Sequence, residues 1–144
     1  TLSALRSTTL IAFSTKTRDG KSMKPQAIRV VNIKGDMPTV DEARRELVAA
    51  IDRARLDGVQ VIKLIHGYGS TGVGGALRNA LRKSLLKRRK EGVVKSIVHG
   101  EKWGVFDEGA RILRNRYAFL HKDADYNRQN SGITMIELND LDEV

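Results

Sequence analysis

The sequence contains no cysteine, which excludes disulfide bonds and thiolate metal sites. It also lacks an apolar run of membrane-spanning length and the apolar segment of a signal peptide, so we expect a cytoplasmic protein without a membrane partner. Hydrophobic residues make up 40% of the 144 positions, which is enough for one domain with its own core. We expect no second folded domain.

Acidic residues are scarce relative to basic ones. The 26 Lys and Arg residues against 17 Asp and Glu give a formal net charge of +9, which favours polyanionic partners. The charge is unevenly spread, because residues 76–91 hold seven cations and one acid, whereas residues 137–144 hold four acids and no cation. This pattern indicates either a solvated helix face or a nucleic-acid contact.

The centre of the chain combines a strand, a glycine-rich turn and a basic helix. Residues 59–65 form a β-branched apolar run typical of a buried strand, and five glycines follow between positions 67 and 75. From Ala76 onward, the apolar spacing predicts a helix. Backbone N–H groups at the start of such a helix, together with the helix dipole, favour an anion. We therefore predict that this turn binds a phosphate.

The same turn matches the G-x-G-x-x-G pattern of dinucleotide-binding folds over residues 67–72. However, the next predicted strand, 93–98, leads into His99, where such a fold places an acid for the ribose. A nucleoside-triphosphate loop is also disfavoured, because Val73 stands where Lys and Ser or Thr are needed. We predict no nucleotide cofactor.

The remaining segments predict a small α/β domain over residues 27–138. A first strand at 27–33 precedes a helix that begins with a Thr39–Glu42 capping box. With short connections, the alternating order predicts three parallel strands, and residues 133–138 predict a final strand. We interpret residues 1–26 as a flexible basic arm, which either follows a phosphate backbone or is a poorly ordered terminus, and 139–144 as a solvated acidic tail.

The segment from 101 to 130 gives a weaker pattern. Asp107 is expected to cap a short helix that reaches about Phe119. We predict that Trp103, Phe106 and Phe119 belong to the core. Two carboxylates in the following DADYNRQNSG stretch either bind a cation or belong to a polar loop, namely Asp123 and Asp125.

Two histidines stand beside glycines at predicted strand ends, where ligands bind in parallel sheets. His66 is the stronger candidate, because it precedes the glycine-rich turn and can donate to a phosphate or transfer a proton. His99 is a weaker candidate, and we predict no role for His121.

Taken in order, these segments resemble the Smr family, the small MutS-related domain, over about residues 27–138. Ile65-His66-Gly67-Tyr68-Gly69 matches the His-Gly-x-Gly motif of the family, and Thr71-Gly72-Val73-Gly74 matches its Thr-Gly-x-Gly motif. Residues 131–138 are similar to its closing strand. The stretch 31–35, Val-Asn-Ile-Lys-Gly, stands where the family usually has Leu-Asp-Leu-His-Gly.

The resemblance implies a two-layer α/β sandwich with a β-α-β-α-β-(α)-β mixed sheet, like the C-terminal domain of translation initiation factor three. It also implies nucleic-acid binding and, in some members, metal-dependent nicking of DNA or cleavage of RNA. Two departures concern cleavage. Asn32 cannot serve as a base or an anionic metal ligand, and Lys34 supplies a point charge in place of a titrating imidazole. The segment from about 100 to 130 is longer than in typical members, and we interpret it as a partner surface.

We predict a nucleic-acid-binding domain, with RNA or the ribosome favoured over DNA by the resemblance. Tyr68 either stacks on an exposed base or is a loop residue folded over the second helix. One alternative is an endonuclease in which His66 is catalytic and Mg²⁺ or Mn²⁺ is bound, with Asp36 or Asp41 as a replacement carboxylate. A further alternative is a protein-binding adaptor on ribosomes or a repair complex. The predicted nucleic-acid contacts are Lys34, His66, Gly67, Tyr68, Gly69, Thr71, Gly72, Gly74, Arg78, Arg82, Lys83, Arg88 and Arg89.

Overall fold

A computed structural model describes residues 28–33, 39–67 and 72–141 of the chain. The predicted arm and the predicted site residues Lys34, Tyr68, Gly69 and Thr71 lie outside these ranges. The described elements are β1 (Arg29–Asn32), α1 (Val40–Leu56), β2 (Val61–Ile65), α2 (Gly72–Lys90), β3 (Val94–His99), α3 (Glu108–Arg116) and β4 (Ile133–Leu138), with 3₁₀ turns at Gly100–Lys102 and Ala118–Lys122.

Helix α1 begins with the predicted capping box. The Thr39 hydroxyl accepts a hydrogen bond from the Glu42 backbone N–H at 3.2 Å, and the Glu42 carboxylate accepts from the Thr39 N–H at 3.1 Å. Two backbone donors that would lack partners at the helix start are thereby satisfied. The helix ends before Gly58, whose φ of 76° lies in the left-handed region that glycine tolerates.

The described strands form a mixed sheet in the order β1-β2-β4-β3. Strands β1 and β2 are parallel, with Val31 beside Leu64. Strand β4 is antiparallel to both of its neighbours and places Thr134 beside Leu64 and His99. The fold is therefore mixed α/β with a four-stranded mixed sheet and three helices, which confirms the predicted class. The first three strands share one direction, and the last strand is inserted between two of them.

Helices α1 and α2 cover one face of the sheet. Each presents a stripe of buried apolar residues at helical spacing, and both stripes pack on Ile62, Leu64 and Ile136. These side chains are at most 4% exposed, so they form a dry core layer. The two stripes consist of Ala43, Leu47, Ile51 and Ala54 in α1 and of Leu77, Leu81 and Leu85 in α2.

The long segment after β3 covers the opposite face of the sheet. Its buried side chains Trp103, Leu113 and Leu120 pack against Val98 and Met135. Strand β4 is consequently buried along its whole length, with alternate side chains in the two core layers. The inner side of the segment that we interpreted as a partner surface is therefore part of the protein core.

The prediction that Phe106 belongs to the core is wrong, because its side chain is 99% exposed. The residue lies in a turn before the Asp107 cap and outside helix α3, so helical spacing does not apply to it. Asn127 Oδ1 accepts from the Val105 N–H at 2.8 Å, and Arg111 Nη1 donates to the Val105 carbonyl at 2.7 Å. These bonds hold the turn while Phe106 points outward. Helix α3 also ends earlier than predicted, at Arg116.

Glu137 is a fully buried carboxylate on the side of the sheet that faces the long segment. Arg116 Nη1 lies 2.6 Å from both of its oxygens, the Tyr117 hydroxyl donates at 2.7 Å, and the Ser96 hydroxyl donates at 2.9 Å. Burial, followed by the hydrogen bond to Glu137, raises the pKa of Tyr117. The carboxylate is thus fully hydrogen-bonded, as a buried charge must be.

The cation held by Asp123 and Asp125 is the ammonium of Lys63. Its Nζ donates to Asp123 Oδ1 at 2.9 Å and also contacts Asp125, while the Trp103 indole N–H donates to Asp123 Oδ2 at 2.9 Å. Burial lowers the pKa of Lys63, but the hydrogen bonds to the two carboxylates outweigh this effect and leave the pKa raised. The polar loop is therefore attached to β2 by an internal ion pair.

The predicted acidic tail begins as part of the domain. Arg55 donates to the carbonyl oxygens of Asn139 and Asp140 at 3.0 and 3.1 Å, and Asn139 Nδ2 donates to the Gly92 carbonyl at 2.8 Å.

In the described ranges, no helix has the length and apolar character needed to cross a membrane.

We expect Leu113→Ala to lower the free energy of unfolding by about 2–5 kcal/mol, because it leaves a cavity between α3 and the sheet. Urea unfolding followed by circular dichroism measures this loss. Phe106→Ala is the matched control and should change the value by less than about 0.5 kcal/mol, since the side chain is in solvent. Equal effects of the two substitutions would contradict a core role for the segment.

Candidate nucleic-acid interface

The candidate site lies where β1 and β2 end and α2 begins. Ile33 N–H donates to the Ile65 carbonyl at 2.9 Å, so the two parallel strands remain paired to their ends. The His66 and Gly67 N–H groups both donate to the Gly132 carbonyl, at 3.0 and 3.1 Å. Gly67 has a φ of 85°, which a residue with a side chain rarely adopts. The turn therefore leaves the sheet from a fixed point beside β4.

His66 is buried beneath this point, with a relative exposure of 1%. Its Nδ1 lies 2.9 Å from the Gly67 carbonyl oxygen, and its Nε2 lies 2.8 Å from the Thr134 hydroxyl. A carbonyl can only accept, so this network assigns the ring proton to Nδ1 and makes Nε2 the acceptor for the Thr134 hydroxyl. The imidazole thus connects the start of the turn to β4.

Burial lowers the pKa of His66 to about 4. The hydrogen bond to Gly67 acts in the opposite direction, and the positive charges of Arg82 and Arg78 lower the pKa further. The ring is therefore neutral at pH 7, and both of its nitrogens already have partners. This arrangement fits a positioning residue better than a solvent-accessible proton donor.

Arg82 completes the same network from helix α2. Its Nη1 and Nη2 donate to the two carboxylate oxygens of Glu101 at 3.0 and 2.9 Å, and its Nε donates to the Thr134 hydroxyl at 3.2 Å. Nη2 also donates to the Ile133 carbonyl at 3.2 Å, and the side chain is only 12% exposed. The phosphate contact that we predicted for Arg82 would require breaking these bonds.

Thr134 and Glu101 were missed in the sequence, although they hold His66 and Arg82 in place. Thr134 could have been recognised from the sequence, because it is a polar residue at a position of β4 that faces the helices, in line with Ile136 and Leu138. A polar group in a buried stripe needs a hydrogen-bond partner. Glu101 left no such signal, since its pairing with Arg82 depends on how the 3₁₀ turn after β3 is placed.

The other predicted site residues are distributed along α2. Gly72 and Gly74 are in its first turn, and Arg78 is half-buried one turn later. Lys83 and Arg89 are exposed, whereas Arg88 donates to Glu91 at 2.6 Å.

His99 is half-buried at the end of β3, and its pKa is lowered by burial and then by the charge of Arg82. Exposed His121 stands apart from the site.

Helix α2 has no acid in its first turn and four cations in its last turn. The positive end of its dipole is therefore not neutralised by its own side chains at the glycine-rich end. The cations of the last turn complement the negative end of the dipole, which gives them a structural benefit as well. An anion is consequently most favourable beside the first turn and along the exposed basic face.

The residues that the structure describes do not assemble a ligand set for Mg²⁺ or Mn²⁺. No group of three or more His, Asp or Glu side chains within those ranges is placed to hold a metal ion. Asp41 is exposed and forms an ion pair with Arg44 at 3.1 Å, and Asp36 lies outside the described ranges. Neutral Asn32 occupies the end of β1. These residues do not fit a catalytic metal, and we derive no step through one.

The low pKa of His66 predicts a pH-dependent stability. The unfolded chain takes up a proton near the ordinary histidine pKa of 6.5, whereas the folded protein takes it up only near about 4. Stability is therefore lost as the pH falls between these values, by up to about 3 kcal/mol.

Urea unfolding from pH 7 to pH 4 should show a steeper loss in the wild type than in His66→Gln. Nitrogen NMR shifts of the imidazole at pH 6 should place the proton on Nδ1. If the free energy of unfolding falls equally with pH in the two proteins, the buried, neutral state of His66 is contradicted.

The middle of the chain is similar to known Smr domains. A family model of the Smr domain matches residues 35–103. The crystal structure of the Smr domain of Thermus thermophilus MutS2 is similar, with 26% sequence identity, a TM-score of 0.48 and coverage of 77% of this chain and 98% of that chain. No curated protein matches. The family match confirms the resemblance inferred from the glycine motifs for residues 35–103.

Proposed function

We propose that this chain is a nucleic-acid-binding Smr domain that holds a phosphate backbone with its glycine-rich turn and the basic face of α2. One observation carries the proposal: in a domain of a family known for nucleic-acid binding, a helix rich in cations starts at the turn that follows β2. The unneutralised helix start supplies N–H donors, and the exposed cations supply long-range attraction.

The described contacts give each part of the site a separate role. His66 fixes the Gly67 carbonyl and thereby the direction in which the turn begins. Arg82 is committed to Glu101 and β4, so it holds α2 against the sheet. Lys83 and Arg89 are exposed and remain the strongest predicted phosphate ligands among the described residues. Rigid support beneath exposed donors lowers the entropic cost of binding.

Binding is better supported than cleavage. A buried neutral imidazole, paired at both nitrogens, has no direct path to a scissile phosphate. The first-strand motif also carries Asn32 and Lys34 in place of the acid and histidine of the family. We therefore place endonuclease activity second, as an outcome that denaturing gels of the binding mixtures detect. RNA is our preferred ligand over DNA, because the family resemblance implies a ribosome-binding fold.

The experiment measures fluorescence anisotropy of a labelled RNA hairpin, and of a DNA hairpin of the same sequence, at several salt concentrations. We expect Lys83→Glu/Arg89→Glu to weaken RNA binding at least about tenfold, because two contacts become repulsive. Lys122→Glu/Arg128→Glu is the matched control, since it changes the net charge equally at exposed positions outside α2. It should weaken binding less than about twofold.

Equal losses in the two variants would contradict a localised interface. Denaturing gels of the same mixtures, with Mn²⁺ or with EDTA, test cleavage separately. Intact RNA that the protein still retards supports the proposed binding function. Metal-dependent products that disappear in His66→Ala would instead establish the endonuclease.

The exposed edge of the long segment favours a second candidate, an adaptor that binds a ribosome or a repair complex. Phe106 is 99% exposed, and the apolar side chains of Val105 and Ile112 in the same segment are also exposed. The Val105 N–H donates to Asn127, and Arg111 donates to the Val105 carbonyl, so the turn that carries Phe106 is held in place. Phe106→Ala should abolish co-sedimentation with purified ribosomes and leave RNA affinity unchanged. Unchanged co-sedimentation would exclude this surface as the ribosome contact.

A further inference from the structure

A groove of about 700 Å³ runs between helices α1 and α2 on the side away from the sheet. Both helices pack on the sheet through their apolar stripes, so the sides that face each other above the core are free to form a channel. Ala49, Ala80 and Ser84 line it, and these small side chains leave it open. Its charged lining residues are Arg44, Arg45, Asp52, Lys83, Lys87 and Arg88.

The rims of this groove are strongly positive. Five cations and one carboxylate line it, with arginines from α1 opposite lysines and an arginine from α2. Arg44 pairs with Asp41 at 3.1 Å and Arg88 pairs with Glu91 at 2.6 Å. Arg45, Lys83 and Lys87 are exposed. Cations on facing rims repel one another, and an anion between them would relieve this repulsion.

The groove is separate from the glycine-rich turn but lies on the same helix. Its lining in α2 starts at Ala80 and ends at Arg88, eight and sixteen residues after the first helical residue, Gly72. At 1.5 Å per residue, these positions are about 12 and 24 Å from the helix start. In one strand of a duplex, that distance corresponds to about four to seven phosphates.

We infer that the α1–α2 groove is a second phosphate-binding site, which holds the backbone of the same nucleic acid that contacts the turn. This inference rests on the proposed function and adds that the footprint extends over both ends of α2. A nucleic-acid backbone fits better than an acidic peptide, because the groove lies about 12–24 Å along the helix that starts at the turn, and a regular polyanion can span that distance. The small lining residues let the backbone enter between the two charged rims.

The test uses Arg45→Gln/Lys87→Gln, which removes one exposed cation from each rim and alters neither the turn nor the Arg82 network. Lys122→Gln/Arg128→Gln is the matched control, because it removes the same charge from exposed positions outside the groove. Circular dichroism spectra verify that both variants are folded. The probes are RNA hairpins with stems of about four and about twelve base pairs, chosen because the short stem, about 14 Å long, does not reach from the helix start to Lys87 at about 22 Å, whereas the long stem does.

Affinity falls as salt rises, so log affinity against log salt has a negative slope. We expect the groove variant to make this slope less steep by about 1.4–1.8 on the long hairpin, which corresponds to two lost phosphate contacts. On the short hairpin, the slope should remain that of the wild type. The control variant should leave both slopes unchanged.

An unchanged slope for the groove variant, with the wild type bound normally, overturns the inference and leaves the proposed function intact. A wild type that binds neither hairpin overturns the proposed function itself. Loss of polyglutamate binding in the groove variant, with RNA binding retained, would show that the groove serves an acidic protein instead.

Discussion

The structure depends on the burial of strand β4 between β2 and β3. This strand lies between two others in the sheet, contributes to the core layers on both faces and supplies Thr134, which is bonded to Nε2 of the buried His66. A strand buried on both faces must be covered by two layers, and the long segment after β3 provides the second one. The candidate interface is therefore built next to a strand that is buried on both faces.

The polar network on β4 explains why a histidine motif need not indicate proton transfer. His66 receives a hydrogen bond from Thr134, which in turn accepts one from Arg82, and Glu101 neutralises the guanidinium. Each member is satisfied, so the network stabilises one arrangement of turn, strand and helix. Its chemical consequence is a neutral imidazole that supports the backbone of the turn.

The basic residues of α2 divide into two groups according to their partners. Arg82 and Arg88 form ion pairs with Glu101 and Glu91, whereas Lys83 and Arg89 are exposed. The bonds of Arg82 to Glu101 and β4 hold the helix against the sheet, whereas exposed cations are available for long-range attraction. The charge of a segment therefore overstates the number of its exposed, unpaired cations, and the groove beside α1 brings arginines of α1 next to the cations of α2.

The sequence by itself determined the mixed α/β class, the Thr39 cap, the apolar stripes of α1 and α2 and the Smr motifs, because these features depend on local spacing. It also placed Trp103 in the core correctly. Only the tertiary structure decided that Phe106 is exposed, that Lys63 is the cation between Asp123 and Asp125, and that Arg82 is paired. The physical reason is distance along the chain. Hydrogen bonds and ion pairs between residues tens of positions apart leave no periodic pattern, since they exist only after the sheet has brought their elements together.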